Sequence, residues 1–133
     1  MISTKASFRI MGKDLDPSEI TKLLHMPPDQ AHRCGDPHIS EAGHRYADYT
    51  EGLWALDSSV DETHAIAAHL EALVAKLWPH RVLLQEFSQR GYKMDILVGL
   101  FGIDDNMGCV LKNTLLRHVM QLGVDLDLDL YPA

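Results

Sequence analysis

The segment Val124-Asp125-Leu126-Asp127-Leu128-Asp129-Leu130 constrains the fold more than any other part of the chain. Successive side chains of a β-strand point to opposite faces, so this alternation predicts a strand with one aliphatic face and one face made only of carboxylates. Such a strand belongs in a sheet, and the rest of the chain can be read for the strands and helices that complete it.

Upstream, Ala6 to Met11 alternates in the same way, with Phe8 and Ile10 on one side, and Gly12 ends it. Asp16-Pro17-Ser18-Glu19 is a helix start, with Asp16 as cap and Pro17 at the first helical position. That helix buries Ile20, Leu23 and Leu24 and stops before Pro27-Pro28. Residues 27–43 show no apolar period and read as a long surface loop. His44 to Tyr49 and Leu53 to Asp57 suggest a hairpin with Gly52 in its turn. Ser59-Val60-Asp61-Glu62 has the form of a capping box opening the longest helix, which carries Ile66, Leu70, Leu73, Val74 and Leu77 and breaks at Pro79. A shorter helix over His80 to Gln89 is expected to bury Val82, Leu83 and Phe87. Tyr92 to Phe101 reads as a strand with Met94, Ile96, Val98 and Leu100 on one face. A helix over Cys109 to Gln121, closed by Gly123, then leads into the last strand.

The order β-α-β-β-α-β followed by α-β predicts an α+β fold. It has a ferredoxin-like βαββαβ core, an added α-β unit, and a mainly antiparallel sheet with helices on one face. At 133 residues, 46% of them hydrophobic, one domain over 1–133 can bury a sizeable core without disulfides or structural metal.

Three groups of residues resemble a bacterial family described only as a domain of unknown function. They are Phe8-Arg9-Ile10-Met11-Gly12-Lys13-Asp14-Leu15-Asp16-Pro17-Ser18-Glu19-Ile20-Thr21 with Leu23-Leu24, the central Gly52-Leu53-Trp54, and Leu126-Asp127-Leu128-Asp129-Leu130-Tyr131. The resemblance covers nearly the whole chain. It implies a small α+β domain and carries over no catalytic residue.

The formal charge is -7, and no run of Lys or Arg occurs, which sets nucleic-acid binding aside because phosphate contacts need a positive footprint. No stretch has the length and apolarity of a signal peptide or membrane span. Cys34 and Cys109 are two thiols far apart in sequence, which suits a reducing, cytoplasmic setting. Residues 95–133 carry -4 of the -7, so the charge is concentrated towards the last strand.

Two clusters invite a chemical reading. His25, His32, His38 and His44 are half of the eight histidines, and His32-x-Cys34-x-x-x-His38 offers imidazole and thiolate ligands that zinc accepts. The plainer reading is a solvated His-rich loop, because paired ligands of the Cys-x-x-Cys kind are missing. The second cluster is Asp125, Asp127 and Asp129, whose side chains stand roughly 6.5 to 7 Å apart along a strand. That spacing suits paired acid–base carboxylates, but it equally suits a charged strand that discourages pairing with other chains. Arg9, Lys93 or Arg45 on neighbouring strands can neutralise part of the row. Cys109 at a helix start, the Asp104-Asp105-Asn106 turn, Trp54 and Trp78 all have ordinary capping or packing explanations.

These features rank three functions. The first is a non-enzymatic interaction or regulatory module, self-associating or binding a protein partner through an open sheet face that carries Asp125, Asp127, Asp129, Leu97 and Phe101, together with Met11, Lys93 and Arg9. The second is a small-ligand sensor with its site between sheet and helices. The third is a metal-dependent hydrolase using the His-rich loop 25–44, with His32, Cys34 and His38 as zinc ligands.

Overall fold

The structure is a computed structural model that describes residues 2–133. Strand β1 (Ser3–Gly12) is followed by helix α1 (Pro17–Leu24), β2 (Gln30–His32), β3 (His38–Ile39), β4 (Arg45–Tyr46) and β5 (Gly52–Asp57). Helix α2 (Ile66–Leu77) runs through a single 3-10 turn at Trp78–His80 into α3 (Arg81–Gln89), and β6 (Lys93–Ile103), α4 (Asn113–Leu122) and β7 (Asp125–Pro132) complete the chain.

Five strands form one sheet in the order β2-β5-β1-β6-β7. The first four in chain order, β1, β2, β5 and β6, are all antiparallel to their neighbours and lie in the order 4-1-3-2, the arrangement a ferredoxin-like βαββαβ core produces. β7 is added beside β6 and parallel to it. Parallel neighbours need a crossover, and α4 provides it. The fold is therefore α+β with a mostly antiparallel sheet.

Period-two burial puts Ala6, Phe8 and Ile10 of β1, Trp54 and Leu56 of β5, and Met94, Ile96, Val98 and Leu100 of β6 on one face. The helices cover that face with Ile20, Leu24, Leu70, Leu73, Leu77, Leu84, Phe87, Leu115 and Leu122. Trp54 is fully buried and its indole N–H donates to Thr21 Oγ1 at 3.0 Å, which ties α1 to the sheet. Asp16 caps α1 as its sequence indicates, accepting from the backbone N–H of Ser18 at 3.0 Å.

Several sequence expectations are corrected. Residues 27–43 are not a plain loop, for they contain β2 and β3, and β5 pairs with β2 rather than with residues 44–49. β2 is a three-residue strand with little burial, so it carries no apolar period to read. Gly52 is not a turn residue. It begins β5 and is buried, and a Cβ there would come within 2.8 Å of the Leu15 carbonyl oxygen.

The capping box at Ser59 is unused. Ser59 takes a left-handed conformation at φ 59°, and α2 starts only at Ile66. Neighbouring Ser58 is buried instead, with its hydroxyl 2.7 Å from His69 Nδ1, while the Asp61 carboxylate accepts from the Thr63 N–H and hydroxyl in a local turn. α3 buries Leu84 and Phe87 and leaves Val82 65% exposed, and α4 begins at Asn113, so exposed Cys109 lies ahead of the helix. Trp78 is only half-buried.

Candidate functional site

The uncovered face of the sheet collects the side chains that alternate with the core. From one edge to the other these are Gln30 and His32 on β2, Leu53, Ala55 and Asp57 on β5, Lys5, Ser7, Arg9 and Met11 on β1, Lys93, Asp95, Leu97, Gly99 and Phe101 on β6, and Asp125, Asp127, Asp129 and Tyr131 on β7. The sequence placed Asp125, Asp127, Asp129, Leu97 and Phe101 on one face, and the register brings them there together.

Arg9 sits at the centre of this face. Its Nε and Nη2 donate to the two carboxylate oxygens of Asp95 at 2.9 and 2.6 Å, a bidentate pair across β1 and β6. Asp95 is buried, and Arg9 is its compensating charge. The guanidinium pKa is raised further by that hydrogen bond above all, with the negative charges of Asp95, Asp127 and Asp129 adding to it. Arg9 Nη2 is also 3.8 Å from Asp127, at the margin of an ion pair.

Of the three cations expected to neutralise part of the row, Arg9 is thus largely committed to a carboxylate outside it. Arg45 is committed elsewhere as well, pairing with Asp48 at 3.0 Å. Among the described residues no ion pair reaches Asp125 or Asp129, and Asp129 has only the Tyr131 hydroxyl at 3.3 Å.

An aromatic step stands beside the carboxylates. Phe101 and Tyr131 stack with ring centroids 4.7 Å apart and planes 5° from parallel. The Phe101 ring lies over Gly99, where a Cβ would meet ring atoms at 2.9 Å, so the glycine makes room for the ring. Lys5 Nζ is 5.9 Å from the Phe101 centroid. Between Lys5, Ser7, Leu97, Phe101, Asp129 and Tyr131 is a shallow depression of about 110 Å³. Tyr131 was outside the sequence reading of the site, although its place in the alternation, two residues beyond Asp129, puts it on the same face.

The histidine loop is organised differently from a metal centre. His32 stacks on Tyr49 with centroids 3.4 Å apart, Tyr49 stacks on His38 at 4.4 Å, His38 lies 4.7 Å from Tyr46, and Tyr46 meets His44 at 4.5 Å. Five rings form a ladder. Cys34 is exposed, with its thiol 3.3 Å from the Thr50 carbonyl oxygen. Among the described residues no group of three or more His, Cys, Asp or Glu side chains is placed to hold a metal ion, so His32, Cys34 and His38 are not brought together as a ligand set. Burial, the leading cause, pulls the His32 pKa down against the opposing effects of a backbone hydrogen bond at Arg33 and the charge of Asp36, and His38 adds a lesser lowering. His32 Nδ1 is buried without a hydrogen-bond partner among the described residues.

Two features on the helix side have no counterpart in the sequence reading. The Ser58–His69 pair joins the end of β5 to α2. His69 is 1% exposed, its pKa is lowered chiefly by burial, and its Nε2 has no partner. Between α2 and α4 a groove of about 480 Å³ is lined by Val74, Trp78, Lys112, Leu115 and His118 among others. In it Trp78 meets His118 edge-on at 4.8 Å, and the Arg81 guanidinium lies 4.6 Å from the Trp78 ring centroid. Neither feature has a local sequence motif, because each joins residues from separate elements.

No helix is long and apolar enough to cross a membrane among the described residues. A family model described as "Domain of unknown function (DUF4279)" matches residues 2–133. No curated protein and no solved structure matches the chain.

Proposed function

The chain belongs to the DUF4279 family, whose description carries no activity, and from the geometry of its sheet we propose that it is a non-enzymatic protein-interaction module that binds a cationic partner through its open face. The observation that supports this most is the pairing state of the carboxylate row. Among the described residues Asp125 and Asp129 make no ion pair, Asp127 has only the margin of Arg9, and the exposed Phe101–Tyr131 stack stands directly beside them. Aromatic side chains with uncompensated charge next to them are the elements of an interface that selects by charge and holds by apolar contact.

The same charge disfavours self-association through this face, since two copies would set like charges together. A basic partner gains where a second copy loses. The exposed, unpaired thiols of Cys34 and Cys109 fit a reducing compartment, and we place the module in the cytoplasm.

An oligolysine peptide titrated into isotopically labelled protein tests this reading. Amide shifts are expected on β6 and β7 around Leu97, Phe101 and Asp127. Affinity is expected to fall about tenfold in Asp125→Asn/Asp127→Asn/Asp129→Asn and to weaken with salt. Shifts confined to the helices, or equal binding by the neutralised variant, would overturn it.

A second reading is a small-ligand sensor, and the groove at Trp78 supports it. Its volume lies in the usual range for ligand sites, and its mainly apolar wall carries Lys112 and His118 as cationic or polar anchors beside Thr114 and a single carboxylate, Glu71. An apolar carboxylic acid is the matching ligand class. Quenching of Trp78 fluorescence by such acids, absent in Lys112→Ala, is the expected result, and no quenching by any of them removes the reading.

A further inference from the structure

The proposed interaction face ends in a strand whose outer side is unpaired. β7 lies at the end of the sheet order and, among the described residues, pairs only with β6, over the eight residues Asp125–Pro132. In any strand alternate residues direct their N–H and C=O groups to opposite sides, so half of the β7 backbone groups face outward without a strand partner. The strand has no proline before Pro132 and no lysine anywhere, two of the usual devices that stop an edge from accepting another strand.

Its aliphatic face is also uncovered. Leu126 packs against the core, but Leu128 is 48% and Leu130 62% exposed, because α4 packs on α2 and α3 rather than over β7. The sequence makes this face look like core, and only its first leucine is.

The edge therefore presents three recognition elements at one spacing: outward backbone groups, carboxylates on one face, and leucines on the other. A strand added to it would place its own side chains alternately beside those two faces. We infer that the partner contributes an extended segment with basic and aliphatic residues in alternation, which docks as a sixth strand along β7. Its Lys or Arg side chains lie beside Asp125, Asp127 and Asp129, and its aliphatic side chains cover Leu128 and Leu130.

Charge complementarity selects this occupant over a second copy. Antiparallel pairing of β7 with its own copy keeps the open faces on the same side and sets two carboxylate rows next to each other, an arrangement that like-charge pairs destabilise. The row thus guards the edge against other copies of the chain while leaving it open to a basic strand.

This inference rests on the open-face reading, and the experiment separates the two. The probe is a seven-residue peptide of alternating lysine and valine, blocked at both ends, with binding measured by calorimetry. Two N-methylated versions carry the methyl groups either on all lysine amides or on all valine amides. One version is expected to lose about tenfold or more in affinity and the other to bind within about threefold of the parent, because only one set of amides faces β7. Leu128→Asn/Leu130→Asn is expected to weaken the parent peptide about tenfold. These leucines are exposed, so the variant folds, and its unchanged thermal midpoint checks that.

Equal binding by both methylated versions and by the leucine variant overturns strand addition. If the neutralised row still weakens binding in that case, the peptide docks on the open face and the earlier reading stands. If the neutralised row binds the peptide as well as the natural protein does, both fail.

Discussion

The two edges of the sheet are built in opposite ways. β2 is three residues long, and the chain after it folds back so that Tyr49 covers His32 and stacks on His38. Backbone bonds between Gly35 and Tyr49 and between Tyr49 and Asp36 hold that return. β7 is eight residues long, with its outer leucines exposed and a line of charge on its other face. An edge is protected either by being short and covered or by carrying charge. β2 is short, and the chain after it stacks Tyr49 on its His32 side chain. β7 carries a row of carboxylates, which on the reading proposed above excludes other copies and attracts a basic strand.

Arg9 connects these halves. It reaches Asp95 and Asp127 towards β7, and it also lines a depression of about 250 Å³ together with Met11, His32, Tyr49 and Leu53 on the β2 side. Arg9→Met is expected to have the largest effect on stability, about 2–3 kcal/mol, because it leaves the buried Asp95 carboxylate without its partner. Urea denaturation measures the loss. Asp95→Asn in the same background is expected to recover part of it, since the deficit lies in the stranded charge rather than in missing contacts. A loss below about 0.5 kcal/mol would mean that water already compensates Asp95.

Tyr49→Ala breaks the covered edge alone. Losing its two stacked partners is expected to cost about 1–2 kcal/mol and to speed amide exchange at Gln30 to His32, with β7 amides unchanged. The same variant probes the acid response. The His32 pKa is lowered in the fold, chiefly by burial, so its neutral form is the one the fold favours. The resulting stability is fully present above the ordinary histidine value of about 6.5 and is lost as pH falls through the depressed folded value. His69 shifts in the same direction for the same leading reason. In Tyr49→Ala the His32 pKa is expected to rise towards its ordinary value by NMR titration, while His69 stays depressed. Equal movement of both histidines would show that the stack is not what shelters His32.

The elements most legible in the sequence were those whose burial repeats within the element. β1, β6 and α1 follow from Phe8 and Ile10, from Met94 to Leu100, and from Asp16-Pro17, because one face of each is core. β2 was invisible, since a three-residue edge strand buries almost nothing and gets its structure from β5. The start of α2 lies beyond its sequence signal because Ser59 takes a left-handed conformation instead of the extended one of a cap and Asp61 closes a local turn on Thr63, so the helix begins only at Ile66. At the site, alternation alone placed the carboxylates with Leu97 and Phe101 on one face. It did not reveal that Arg9 is committed to Asp95, or that Leu128 and Leu130 lie beyond the helices, since both depend on which elements become neighbours.

The smallest expected effect on stability is at the charged edge, and there it separates two roles for the carboxylates. Asp125, Asp127 and Asp129 lie on the solvent side of β7, and among the described residues no ion pair binds the first or last of them, so replacing all three by Asn is expected to shift stability by less than about 0.5 kcal/mol per site. If the row only solvates the strand, nothing else changes. If it keeps copies apart, removing it leaves an eight-residue edge with exposed leucines and no charge, the condition in which sheets pair with one another. The neutralised variant is then expected to gain mass with concentration in light scattering, and Leu128→Asn/Leu130→Asn added to it is expected to reverse the gain. A neutralised variant with the same mass as the natural protein at every concentration would show that the carboxylates do not guard this edge. The uncovered leucines would then be tolerated because β7 is too twisted, or too narrowly exposed, for a second copy to reach.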